Sequence, residues 1–240
     1  MLHPLLLRRA LLLSCACLAA CGEGGPDRAR ASLVGAGDIA SCWWRADEST
    51  ARLLDKIDGV VFTVGDNVYQ DGSLRQYARC YAPTWGRHLE RTRPTPGNHD
   101  YKTRDGAGYF AYFGARAGEP GKGWYSYEVD GWHVVALNTE EEVGEDSEQL
   151  RWLREDLRRH RTRCTLAYMH HPRFSSGKHG GRDQLGPLWN LLYASGVEVV
   201  LAGHDHHYER FAPQTPDGRL DRAKGIRQFI VGTGGAPHYA

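Results

Sequence analysis

The stretch Val60-Val61-Phe62-Thr63-Val64-Gly65-Asp66-Asn67-Val68-Tyr69 decides the fold. Its first five residues are apolar or β-branched, and such a run suits a buried strand because each side chain packs on a pleated surface. A glycine ends the run and an aspartate follows at once. The same grammar recurs along the chain. The run 32–37 leads to Asp38, 164–169 leads to His170, and 197–202 leads through Gly203 to His204. Between these runs, 50–57, 147–160 and 183–195 show helical spacing, with Ser147 placed to cap a helix whose apolar stripe is Leu150, Leu153 and Leu157. Residues 124–129 and 132–138 flank Asp130-Gly131 and read as a hairpin with a two-residue turn. Strand–helix alternation plus a hairpin predicts a layered α/β domain. In open α/β sheets the carboxyl ends of the strands form the ligand-binding crevice, so Asp38, Asp66, His170 and His204 are expected around one rim.

The chain has 240 residues, 41% of them hydrophobic and 25% charged, which suits one globular domain with short appendages. Its formal charge of +1 gives no electrostatic reason to expect nucleic acid or an anionic membrane as partner. At the start, Arg8-Arg9 precede an apolar stretch, 10–20, that is too short to span a bilayer and suits a signal peptide. Leu18-Ala19-Ala20-Cys21 resembles a bacterial lipobox, which implies cleavage before Cys21, a lipid on its thiol, and a flexible tether over 21–31. Export to the periplasmic or cell-surface side, held to the membrane only through that lipid, is the expectation. An ordinary secretory signal with an incidental cysteine is the alternative. Export permits a disulfide, and of the remaining Cys42, Cys80 and Cys164 the pair to test first is Cys42–Cys80. With no CxxC motif, a thiolate zinc site is not expected.

Five clusters carry chemistry: Gly37-Asp38, Gly65-Asp66-Asn67-Val68-Tyr69, Gly97-Asn98-His99-Asp100, Tyr168-Met169-His170-His171-Pro172 and Gly203-His204-Asp205-His206. Singly each is weak. Gly-Asp and Gly-Asn are common in turns, and a lone histidine in a core is commonly a hydrogen-bonded one. Together, at successive strand ends, they supply what a two-metal centre needs: a carboxylate to bridge, oxygen and imidazole donors on either side, and glycines where backbone turns beside an ion. Two cations about 3.5–4 Å apart can activate a hydroxide and clamp a phosphate.

These residues resemble the calcineurin-like metallophosphoesterase superfamily, and within it the purple acid phosphatases. Gly-Asp-x-x-Tyr marks that branch; most of the superfamily opens with Asp-x-His, whereas this chain has Asp38-Ile39-Ala40 and offers Tyr69. Trp124-Tyr125-Ser126-Tyr127, Asn138 and His207-Tyr208-Glu209-Arg210 also look family-like, and the resemblance covers roughly 32–235. It implies a four-layer αββα sandwich of two mixed sheets with flanking helices. It puts Asp38, Tyr69 and His206 on a first metal, Asn98, His170 and His204 on a second, and Asp66 between them. The first metal is then iron(III), and the second iron, zinc or manganese. The donor chemistry agrees in part: a phenolate with carboxylates suits a hard trivalent ion, imidazoles with an amide oxygen a softer divalent one.

The resemblance also makes Asn98 and His99 contacts to the substrate, His99 the proton donor to the leaving oxygen, and His179, nine residues past His170, a further substrate-binding and catalytic histidine. His179 lies in the polar loop Ser175-Ser176-Gly177-Lys178-His179-Gly180, which reads equally as a solvated lid. Asp100 and Asp205 are expected to orient the site rather than ligate. The implied reaction is hydrolysis of a small phosphate monoester by a metal-activated hydroxide. Diester hydrolysis of nucleotides or phospholipid headgroups is the alternative from the same centre, and a lipoprotein that binds metal or phosphate without turnover is the alternative from another class. The twelve histidines are dispersed rather than massed in a chelating tract, which disfavours the last. The run 225–231 reads as a strand ending at Gly232-Thr233-Gly234-Gly235; the resemblance implies further strands, so a chain stopping at Ala240 is expected to be truncated, leaving a sheet edge unpaired.

Overall fold

The structure, a computed structural model, describes residues 32–160 and 164–239. The expected signal peptide, the lipidated Cys21 and the tether lie outside the described residues. Eleven strands are described: β1 (Leu33–Ala36), β2 (Ala40–Ser41), β3 (Val60–Val64), β4 (Val68–Tyr69), β5 (Thr92–Thr95), β6 (Tyr125–Val129), β7 (Trp132–Ala136), β8 (Cys164–Tyr168), β9 (Val199–Ala202), β10 (Tyr208–Arg210) and β11 (Arg227–Val231). The α-helices are α1 (Ala46–Leu54), a single turn α2 (Leu74–Gln76), α3 (Ala107–Phe113), α4 (Glu148–Arg159) and α5 (Gly186–Ala194).

Two main sheets result, with orders β1-β3-β5 and β10-β11-β9-β8-β7-β6. The smaller is wholly parallel, while the larger mixes parallel β7, β8, β9 and β11 with antiparallel β6 and β10. A two-residue pair, β2 with β4, sits beyond the smaller sheet. Three buried clusters define the layers. Phe62 and Val64 of β3 pack with Val134 and Ala136 of β7 and Tyr168 of β8, filling the space between sheets. Ala51 and Leu54 of α1 cover the outer face of the smaller sheet with Tyr77, Trp85, Tyr109 and Phe113. Leu150, Leu153 and Leu157 of α4 and Leu188, Trp189 and Leu192 of α5 cover the other sheet at Val135, Ala167 and Val200. This is the expected αββα layering, with one correction: among the described residues only the larger sheet is mixed, because β1, β3 and β5 pair in parallel throughout.

Local sequence explains most element ends. Ser147 Oγ accepts a hydrogen bond from Leu150 N (3.2 Å), capping α4 as its position predicts. Asp130 and Gly131 both take positive φ (46° and 84°), which the two-residue turn joining β6 to β7 requires. Helix α1 departs from expectation by starting at Ala46 and ending at Leu54, not spanning 50–57. Asp47 and Glu48 sit in its first turn, where carboxylates complement the helix dipole. The apolar period thus marked the second half of the helix and overran its end by three residues. The disulfide is present: Cys42 and Cys80 are bonded, with Cα atoms 5.2 Å apart, tying the end of β2 to the helical segment after α2.

Candidate metal centre

Parallel pairing brings the rim together. In the smaller sheet Ala36 lies opposite Thr63 and Val64 opposite Thr95; in the larger, Tyr168 lies opposite Leu201. Backbone bonds extend the pairing past the strands, from Asp38 N to Gly65 O, Ile39 N to Asp66 O and Gly203 N to His170 O (2.9–3.0 Å). The chain pays for these turns. Asp38, Asp66 and His204 all hold positive φ (59°, 48° and 71°), a region costly for residues with a Cβ and concentrated at functional sites. Two glycines are fixed by close approach. A Cβ on Gly97 would stand 2.4 Å from both Asp66 N and Asp66 Oδ1, and one on Gly203 would stand 2.6 Å from Asp38 Oδ2.

All seven residues expected to ligate metal converge, in two groups. Tyr69 OH lies 2.9 Å from Asp38 Oδ1 and 3.0 Å from His206 Nε2, and His206 Nε2 is 3.4 Å from Asp38 Oδ1. His170 Nε2 lies 3.0 Å from Asn98 Oδ1, 3.2 Å from His204 Nδ1 and 3.4 Å from Asp66 Oδ1. A cation with bonds of about 2.0–2.2 Å holds neighbouring donors roughly 3 Å apart, so both groups have the spacing of a coordination shell. The residues fit a pair of metal ions.

The ring orientations carry the same message. His170 Nδ1 is 2.9 Å from the Val64 carbonyl, and His206 Nδ1 is 3.0 Å from the Pro237 carbonyl. A carbonyl only accepts, so each Nδ1 carries a proton and each Nε2 is the nitrogen turned inward. His170 Nε2 faces the Asn98 amide oxygen and Asp66, while His206 Nε2 faces Asp38 and the Tyr69 hydroxyl, which donates to Asp38 Oδ1. Where acceptors converge at this spacing they repel one another unless a cation, a metal ion or a proton on an inward nitrogen, lies between them.

Electrostatics record this conflict. Burial raises the Asp66 carboxyl and the Asp38 charge adds to it, against the pull of His170, so its pKa stands above the ordinary value. Burial also opposes the Asp38 charge, but the His206 hydrogen bond and the His170 and His206 charges outweigh it and hold Asp38 low. The His170 pKa is raised, because Asp66 and Asp38 overcome its burial. A proton on imidazole is the cation the chain itself can place there. His204 is pushed down to about 2 by burial and by the charges of His170 and His171, so it stays neutral. Burial and the Asp38 and Asp66 charges drive the Tyr69 phenol well above its usual value.

Around this centre, His99 Nδ1 is 2.6 Å from the Gln70 carbonyl, which leaves Nε2 pointing inward, 3.9 Å from Asp66 Oδ2. The His99 ring packs on Tyr69 at 4.4 Å, and Trp44 lies against the same phenol at 5.4 Å. The Asp100 carboxylate is raised to about 6 by burial and the Asp66 charge, and accepts from Gly97 N, Asn67 N, Asn67 Nδ2 and Tyr77 OH (2.6–3.1 Å), pinning two rim loops. Asp205 accepts from Ser175 Oγ and from His179 N (3.0 Å), so the 175–180 loop is held against the rim while Ser176, Lys178 and His179 stay exposed. The His179 ring then lies 4.6 Å from that of His204. His171 is buried beside Thr139 Oγ1 (3.0 Å), Glu140 Oε1 (3.0 Å) and Arg182 Nη1 (2.8 Å); its ring lies 4.3 Å from that of His204, and its ligand atom falls within 4.8 Å of those of His170 and His204. Sequence reasoning missed Tyr239, whose ring stacks on His206 at 4.6 Å. The glycine run after β11 was the available signal.

Residues 32–208 match the calcineurin-like phosphoesterase family. Among curated proteins, the chain is similar to purple acid phosphatase 21 of Arabidopsis thaliana, 35% identical over 202 residues, covering 74% of this chain and 44% of that protein. It is 31% identical to purple acid phosphatase 18 of the same plant, covering 83% and 48%. The chain thus spans about half the length of the curated relatives it matches. Among solved structures, a purple acid phosphatase from yellow lupin (Lupinus luteus) seeds superposes with a TM-score of 0.71 at 20% identity, covering 87% of this chain and 45% of that one; this likeness speaks to the fold.

Proposed function

The chain belongs to the calcineurin-like phosphoesterase family, and on that premise we propose that it hydrolyses phosphate monoesters at two metal ions. One observation carries the reading: two donor groups, each spaced at about 3 Å, are joined by the buried Asp66, the ligand atoms of Asp38, Asp66 and His170 lying within 4.8 Å of one another. Asp38, Tyr69 and His206 would hold one ion, Asn98, His170 and His204 the other, and Asp66 both. Bound there, the ions would acidify water to a nucleophile and offset charge on the phosphoryl oxygens.

The protein residues do the rest. The His99 ring is anchored at Gln70 O, and its Nε2, 3.9 Å from Asp66 Oδ2 and 3.4 Å from Lys102 Nζ, can donate to the leaving oxygen once protonated. Asn98 and His179 flank the substrate position at the second group, and His179 is steadied by its backbone bond to Asp205. Metal uptake at Tyr69 must release the phenol proton against two nearby carboxylates, which favours a strongly polarising trivalent ion such as iron(III). The imidazole–amide group suits iron, zinc or manganese in the divalent state. The Cys42–Cys80 bond supports an exported location.

The test is a side-by-side assay of metal-loaded protein on p-nitrophenyl phosphate and bis(p-nitrophenyl) phosphate. A kcat/KM at least about tenfold higher on the monoester is expected, a barrier difference of about 1.4 kcal/mol. A preference for the diester would reassign the substrate class, and no turnover of either with two ions bound would remove the enzymatic reading.

A further inference from the structure

The loop after β11 is laced to the rim. Gly234 N donates to Gly37 O and Ala236 N to Asp38 O (both 2.8 Å), while Pro237 O accepts from His206 Nδ1. A Cβ on Gly232 would stand 2.2 Å from Asp205 O, so the loop enters in close contact. These anchors set where Tyr239 lies. Its ring is nearly parallel to His206, with centroids 4.6 Å apart and planes at 13°. Its hydroxyl is 2.8 Å from His179 Nε2, and His179 in turn packs on His204. The phenol therefore reaches from an imidazole of the first donor group toward the second, on the side of the rim where Lys178 and His179 are exposed. Lys178 Nζ sits 5.1 Å from the centre of the same ring.

We propose that Tyr239 is a substrate-binding residue of this centre, its hydroxyl donating to a phosphoryl oxygen beside His179 while Lys178 adds positive charge at the mouth. The inference rests on the phosphatase reading above. A tyrosine hydroxyl has one proton to give and also accepts. When His179 Nε2–H donates to the phenol oxygen, the hydroxyl proton is left for an anionic oxygen, and one contact orients both groups. Stacking on His206 fixes the ring, so little freedom is lost when the ester binds.

Tyr239→Phe keeps the stacked ring and deletes only the hydroxyl. The experiment is calorimetric titration of inorganic phosphate into metal-loaded wild type and Tyr239→Phe, with metal content measured on both. About tenfold weaker phosphate binding is expected, the loss of one hydrogen bond to a charged group, with two ions per chain retained and KM for p-nitrophenyl phosphate raised more than kcat is lowered. Unchanged phosphate affinity would overturn the assignment, as would loss of a metal from Tyr239→Phe, which would make the ring a prop for His206. Failure of the loaded wild type to bind phosphate would bring down the phosphatase reading itself. Normal wild-type binding that Tyr239→Phe matches would bring down only the role of Tyr239.

Discussion

Near the amino-terminal end of β7, away from the rim, His133 is buried between two acids. Its Nδ1 lies 3.1 Å from Glu128 Oε1 and its Nε2 2.6 Å from Asp156 Oδ2, and Ser126 Oγ donates to the other Asp156 oxygen (2.8 Å). Burial works against the imidazolium, but hydrogen bonds and charges from Asp156 and Glu128 win, so its pKa is raised and that of Asp156 is lowered. Both His133 nitrogens there face carboxylate oxygens, and the residues sit on a regular hairpin and helix. At the rim the same residue types are arranged to the opposite effect. His170 Nε2 meets an amide oxygen and a second imidazole as well as Asp66, Asp66 is raised where Asp156 is lowered, and three of the residues hold left-handed backbone. Residue type alone does not separate a structural histidine–carboxylate cluster from a metal centre. What separates them is whether the groups satisfy one another.

The largest test of that contrast is Asp66→Ala. Removing the carboxylate between the two donor groups is expected to release metal and lower turnover by about 10³-fold or more, since ions at such sites are worth several kcal/mol. Turnover within tenfold of wild type would erase the distinction drawn here. His99→Ala comes next: kcat should fall by roughly 10²–10⁴-fold with both ions retained, the range for loss of a general acid. If metal is lost as well, the His99 ring, packed on Tyr69 at 4.4 Å, is propping a ligand rather than moving a proton.

The smallest effect belongs to the satisfied cluster. His133→Gln is expected to leave turnover unchanged and to destabilise the fold by roughly 2–3 kcal/mol, discounted for the partly exposed Glu128. The pH dependence has a definite sign. The folded pKa of His133 lies above the usual 6.5, so its contribution is full below that value and is lost as pH rises through the folded pKa. Thermal melts of wild type and variant should therefore converge at alkaline pH; a gap that widens there would contradict the assignment.

Much of this was legible in sequence because strand patterning and turn chemistry are local. The runs before Asp38, Asp66, His170 and His204 gave the rim, and Ser147 gave the start of α4. What escaped depended on tertiary context. Strand β5, Thr92-Arg93-Pro94-Thr95, lacks an apolar run and contains a proline, tolerated because β5 is an edge of its sheet. The 175–180 loop is polar and looks like a solvated lid, yet Asp205 and Glu209 tie it down through Ser175, Ser176 and His179. Tyr239 carries no periodic signal, and its place over the centre follows only from anchors to Gly37, Asp38 and His206.

The central claim is that two cations resolve the conflict among Asp38, Asp66, Tyr69 and the inward-facing imidazoles. Elemental analysis with a visible spectrum, taken on active wild type and on Tyr69→Phe, tests it most directly. Two ions per chain are expected in wild type, with a phenolate-to-iron(III) absorption that vanishes in Tyr69→Phe. A fully active protein holding one ion per chain or none would contradict it.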